Sequence, residues 1–315
     1  MKRRELEVLG WLGATALLIY FISRVDRAQL RQAMAMVEWG WIAVAVIANA
    51  LILVSWAALW WTVAPHRERP TFRVMFEINA MASALMNTMP FLGGHAAAVV
   101  LLIKRAAMSR EGALSVLALD QLGEGFAKLT IFGIVAALAP IPDWMRVGIA
   151  TACVAVGALF VVLLVAAHGH LHFRPTETGR PTLANRVRRF GAGWAERMET
   201  LRSARRSVLA LLLAIGTKAA EGAGILAVQH AFGVELSLGS TALVLAAVIL
   251  GSILPVAPGN VGTYEAGAFL AYRHLGIDPS QAAMLAVASH ICFMIPSVGI
   301  GYLLGSWKIR SAVVT

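Results

Sequence analysis

The sequence holds little charge: Asp, Glu, Lys and Arg make up 14% of its 315 residues, against 59% apolar residues. An ordinary soluble domain carries charge on about a quarter of its residues, so that class is excluded. Cysteine is scarce as well. Cys153 and Cys292 both lie inside apolar segments and match no metal-ligand spacing, which argues against a disulfide framework or a metal site. The sequence also lacks a nucleotide-binding loop, a metal motif and a soluble catalytic segment, so it predicts no cofactor and no enzyme activity. Energy for any transport then comes from an ion gradient or from the substrate's own gradient. The apolar runs lack period-two alternation, which excludes a transmembrane β-barrel.

What is present is a series of apolar blocks, each long enough to cross a hydrocarbon core of about 30 Å, for which about 20 helical residues are needed. The blocks predict membrane segments at 6–23, 39–64, 113–139, 146–167, 207–232 and 279–306. Met1, Lys2, Arg3 and Arg4 ahead of the first block resemble a signal peptide, but no small-x-small cleavage site follows, and the block reads as a retained helix. Two more apolar stretches, 73–104 and 241–272, are broken at Pro90 and around Pro255 and Pro258. Each leaves arms too short to span comfortably, so re-entrant hairpins fit better than double crossings. The fold class is therefore an all-α polytopic membrane protein, a single transmembrane domain over 1–315 with about six full helices and two re-entrant broken-helix hairpins.

The net charge of +10 falls between the apolar blocks and lines no nucleic-acid-binding motif, so no nucleic-acid partner is expected. With the hairpins entering and leaving on one side, twenty Lys and Arg residues fall on one face of the membrane and five on the other. That bias places both termini in the cytoplasm of a bacterial inner (plasma) membrane. The loop 168–206 is basic, and Leu183, Val187, Phe190, Trp194, Met198 and Leu201 share one helical face within it. This segment reads as an interfacial helix over 182–206 on an anionic leaflet, or as a solvated connector. Residues 26–38, with Leu30, Met34 and Val37, suit a similar role on the outer face.

Pro90 and Pro258 lie 168 residues apart, and the same shift carries Gly94 onto Gly262 and 39–139 onto 207–307 without a gap. Sidedness makes the two copies run in opposite senses, so the chain reads as an inverted repeat, a layout of secondary transporters with sites near the midplane. The alternative is that apolar helical segments align easily with one another. Non-helical backbone at membrane depth must be buried or line a wet cavity, so both breaks point inward. In each, the glycines (Gly93 and Gly94; Gly259 and Gly262) precede an arm whose free N–H groups suit an anion. Asn87 and Asn260 flank the breaks.

Ionisable residues inside the apolar blocks form a second signal. Asp120, Glu124 and Lys128 share one helical face, Lys218 and Glu221 another, and Glu77, His95, Glu265 and His290 lie within apolar stretches or at the breaks. Lys128 and Lys218 could serve as counter-charges to an anion, with Glu265, Asp120 and Glu124 as gates; they could equally form structural ion pairs. His95 and His290 have a plain packing role as their alternative, and Glu77 an interfacial one. Glu265 stands within one turn of Gly262, where it needs a lysine partner or a proton.

Residues 254–265, from Leu254 through Pro255, Pro258, Gly259 and Gly262 to Glu265, resemble the flippase-like membrane domains related to the transmembrane region of lysylphosphatidylglycerol synthase, the multiple peptide resistance factor. That family's Leu-Pro-x-x-Pro-Gly-x-x-Gly-x-x-Glu pattern is matched at every specified position. Its earlier Asn-x-x-x-Pro-x-x-x-Gly-Asp motif is matched only in part: Pro90 and Gly94 correspond, His95 replaces the acid, and Asn87 lies nearer the proline. Asp120 and Glu124 are similar to the acidic pair of the following helix. The resemblance implies translocation of an anionic phospholipid or lipid-linked head group between leaflets, and the sequence shows no aminoacyl-transferring domain. Two other readings stay open: an ion-coupled transporter of a small anion, and a scaffold that recruits a lipid-modifying enzyme.

Overall fold

The computed structural model describes residues 35–89, 93–168, 203–253 and 257–314, and among these every regular element is helical. Nine α-helices follow in order: α1 (Trp39–Val63), α2 (Phe72–Thr88), α3 (Gly93–Arg105), α4 (Arg110–Leu138), α5 (Asp143–His168), α6 (Ala204–Ala231), α7 (Leu238–Gly251), α8 (Thr263–His274) and α9 (Pro279–Val314). Five of them, α1, α4, α5, α6 and α9, are long and apolar enough to cross a membrane. The expected span 6–23 lies outside the described residues, as does most of the basic segment 182–206. Arg205 and Arg206, assigned above to that segment, instead belong to the first turn of α6. Val37 is buried rather than laid on a surface, and the neighbouring Glu38 N–H donates to the Ala231 carbonyl at 3.0 Å.

The breaks fall where the prolines put them. Met89 ends α2 in an extended conformation (φ −96°, ψ 137°), the region favoured before a proline. The four hairpin helices have 17, 13, 14 and 12 residues, hence lengths of about 18–26 Å, short of a full crossing. Helix starts are set by side-chain caps: Ser109 accepts from the Gly112 N–H at 3.0 Å, Ser237 from Ser240 at 3.1 Å and Asp278 from Ser280 at 2.9 Å.

The packing follows the 168-residue register. Exchanging α1 with α6, α2 with α7, α3 with α8 and α4 with α9 carries each main contact among these helices onto another: α2 on α9 becomes α7 on α4, and α1 on α9 becomes α6 on α4. The last helix of each copy, α4 or α9, thus packs on the hairpin of the other. α1 and α6 pack along their length and run antiparallel, since Trp41 stacks on His230 (4.9 Å) at one end while Gly216 faces Ser55 further along. Two apolar clusters result, one around Trp60, Met75, Ile78 and Leu102 beside the first hairpin, the other around Val228, Leu243, Tyr272 and Leu285 beside the second. Small residues let the helices approach: a Cβ on Gly301 would collide with the Ala80 carbonyl oxygen, and one on Gly267 would lie 2.5 Å from that of Ala247.

A polar clamp joins the loops at the α1 end. Glu68, in the 3₁₀ turn His66–Glu68, accepts the Ser109 backbone N–H at 2.9 Å and its hydroxyl at 3.0 Å, fixing the start of α4. Beside it, Arg69 lies over the Trp61 ring (4.6 Å) and donates to the Thr62 and Ala64 carbonyls that end α1. Glu68→Ala removes the charged acceptor and is expected to cost about 1–3 kcal/mol, read as a lower thermal unfolding midpoint in detergent. An unchanged midpoint would show that the clamp contributes nothing.

Candidate functional site

The two breaks meet. Gly259, at the tip of the second hairpin, has a φ of 62°, and a Cβ there would lie 2.9 Å from the Asn87 carbonyl oxygen of the first hairpin and 2.8 Å from the Met294 methyl. Only glycine fits that approach. Gly262 (φ 89°) and Asn260 (φ 56°) complete the reversal. Gly94 is fixed by packing too, because its Cα lies against the Met86 backbone. Pro90 and Pro255 lie outside the described residues; Pro258 is buried.

Around the meeting point lies a cavity of about 510 Å³. Its lining takes Asn87 and His95 from the first hairpin, Gly259, Asn260 and Tyr264 from the second, Asp120, Glu124 and Lys128 from α4, and Lys218 and Glu221 from α6. Nine of the residues singled out in the sequence therefore share one space. Gly93, Gly94, Pro258, Gly262, Glu265 and His290 stand behind this lining. Glu77 is also buried and pairs with Arg73 at 3.4 Å.

The lysines are not free counter-charges. Lys128 pairs with Glu124 at 2.9 Å, while Lys218 bridges Glu221 at 3.0 Å and Glu124 at 3.7 Å, linking α4 to α6. The pairs of Glu124 with Lys128 and of Lys218 with Glu221 that the helical spacing allows are therefore formed. Asp120 is 1% exposed and bonds to neutral donors, the Trp56 indole N–H at 2.7 Å and the Gln121 amide at 3.4 Å. Three carboxylates and two ammonium groups line the cavity, so it has no surplus of positive charge.

The second hairpin departs from expectation in one more respect. The Gly262 N–H at the start of α8 is taken by Glu265 Oε2 at 2.7 Å, so the protein's own carboxylate fills the position assigned above to an external anion. The partner of Glu265 is neither lysine: its Oε1 lies 2.8 Å from His290 Nδ1 on α9, and both side chains are buried. The Tyr264 ring stacks on His290 at 4.3 Å and separates it from the cavity.

Packed beside α4, α5 adds Thr151, Ala152, Ala155, Val156 and Leu159 to the lining. This wall is thin. α5 buries 11% of its apolar stretch, against 33–44% for the other four spans, and is held at Gly125 against Val156, Phe126 against Phe160 and Gly148 against Leu250. Neither this wall nor Trp56 was singled out in the sequence. The α5 residues carry no polar signal, and a tryptophan in an apolar helix looks like packing until its acceptor, 64 residues on, is seen.

Two facing hairpins around a charged cavity, in a bundle of membrane-spanning helices, define a polytopic membrane protein with an internal polar site. The chain belongs to the family of the lysylphosphatidylglycerol synthase transmembrane region, whose model matches residues 8–301 and so takes in both hairpins. No curated protein matches the chain.

Proposed function

We propose that this chain is a transporter, not an enzyme, that moves a lipid or lipid-linked head group between the leaflets of the inner membrane. The head group passes through the cavity between the hairpin tips while the tails stay in the bilayer. The observation that carries this reading is the mixed lining of the cavity: Asp120, Glu124, Lys128, Lys218 and Glu221 supply charge, and the mostly apolar, thinly held α5 closes part of it. An amphiphile needs both, because its head requires polar partners and its tails require a lateral way out. A small water-soluble anion needs no such wall.

The antiparallel α1–α6 pair and the exchange symmetry of the contacts support an inverted repeat, in which the two hairpins open to opposite faces. The positive-inside bias of the loops supports cytoplasmic termini. The charges narrow the cargo, however. With both lysines paired to carboxylates, the cavity suits a neutral polar head group, or one carrying both signs, better than a bare anion.

Photoactivatable phospholipids test the reading. With the reactive group in the head, peptides of α4 and α6 that line the cavity should be labelled; with it in the acyl chain, labelling should move to the outside of α5. Head-group labelling confined to the helix ends would remove the cavity from the path.

A further inference from the structure

Behind the cavity, Glu265 and His290 form a buried pair that the translocation path leaves unused. We propose that this pair binds and releases one proton, and that its loading is tied to movement of the second hairpin tip. Its role in transport rests on the function proposed above; its existence as a proton site does not.

The geometry sets the protonation states. The Glu265 carboxylate accepts at both oxygens, from the Gly262 N–H (2.7 Å) and from His290 Nδ1 (2.8 Å). With the Nδ1–H donating, the imidazole is neutral, the pair carries one negative charge, and His290 Nε2 is a bare acceptor. That nitrogen is buried and has no partner among the described residues. A buried acceptor left unpaired is disfavoured. One proton added at Nε2 converts the imidazole to imidazolium and brings the pair to zero net charge. The donor is water in the cavity, and the proton returns there on release.

Access to Nε2 is controlled by the tip. Tyr264 lies flat on the His290 ring (interplanar angle 10°) and its other side lines the cavity. It directly follows Gly262 and Thr263, so a tip lifted off Asn87 carries Tyr264 with it and admits cavity water to the ring. The backbone is built for such a pivot, with positive φ at Gly259, Asn260 and Gly262. Other titratable groups around the pair are Tyr264 and Tyr272 on α8, Cys292 on α9, and Glu221 on α6, the last already held by Lys218. α1 and α7 carry none, and α2 contributes only Arg73 and Glu77, ten or more residues from its break. His290 therefore has a single charged partner in contact, and Glu265 is the group that holds its proton.

Two measurements on the full chain in lipid bilayers decide the matter. In the first, magnetic resonance of isotope-labelled histidine follows the imidazole nitrogens from about pH 5 to about pH 9, a range bracketing the ordinary histidine value of about 6.5. The signal lost in His290→Asn is expected to convert reversibly at Nε2, and Glu265→Gln should alter that conversion because it removes the carboxylate that His290 contacts. A His290 signal unchanged across the range would overturn the proton site. In the second, translocation of a fluorescent phospholipid is followed in proteoliposomes under an imposed pH gradient. One unit biases proton loading about tenfold, so the wild-type rate should change severalfold with gradient direction, and His290→Asn should abolish that dependence. Wild-type translocation indifferent to the gradient would overturn the coupling. Absence of any translocation would count against the transport function instead, with the resonance titration still deciding the proton site.

Discussion

Replacing Lys218 with Met should lower the stability of the protein by about 3–5 kcal/mol, because it leaves a buried carboxylate without its ammonium partner. Lys218 is the cation that joins two helices: it contacts Glu221 at 3.0 Å on its own helix and Glu124 at 3.7 Å on α4, with only 14% of its side chain exposed. The loss is a large fraction of the roughly 5–15 kcal/mol that holds a typical domain folded. Folded yield in detergent should fall accordingly. Lys128→Met should cost less, since Glu124 keeps Lys218 nearby. The decisive comparison is the double substitution Lys218→Met with Glu221→Gln, which removes the charge together with its partner and should recover most of the loss. If Lys218→Met is as stable as the wild type, the α4–α6 network is not structural and its lysines are free for cargo.

Much of the fold is legible in the sequence, because helix length and membrane thickness leave little choice. α1 runs 25 residues without a charge, and the ends of α4 and α6 fall within three residues of those read from the apolar blocks. Pro258 and Gly259 mark the second break by their backbone chemistry alone. Same-helix partners are legible too: Glu124 with Lys128 and Lys218 with Glu221 follow from spacings of four and three. Partners across helices are not. Glu265 looks for a lysine in the sequence and finds His290, because the supply of intramembrane lysines was visible while their prior engagement with Glu124 and Glu221 was not. The anion expected at Gly262 gives way to Glu265 for the same reason: a side chain one turn along a helix reaches back to the free N–H before any ligand does. Trp56 and the α5 wall carry no mark in the sequence, since their roles come from what lies beside them.

The account turns on α5 as the lateral wall through which lipid tails remain in contact with the bilayer, and a reversible lock examines that wall directly. A Cβ built on Gly125 of α4 lies 3.7 Å from the Val156 Cβ of α5, within the roughly 3.5–4.5 Å that a disulfide spans. The valine methyls that would crowd it, at 3.0 and 3.1 Å, disappear in Val156→Cys. Cys153, exposed on α5, is changed to Ser so that it cannot compete, while Cys292 is buried. The lock replaces none of the charged residues and no residue of either hairpin. Translocation of a fluorescent phospholipid in proteoliposomes should fall to the protein-free background when the Gly125→Cys, Val156→Cys pair is oxidised, and return on reduction. An equal rate in the two states, with complete cross-linking shown by mass, would contradict the account.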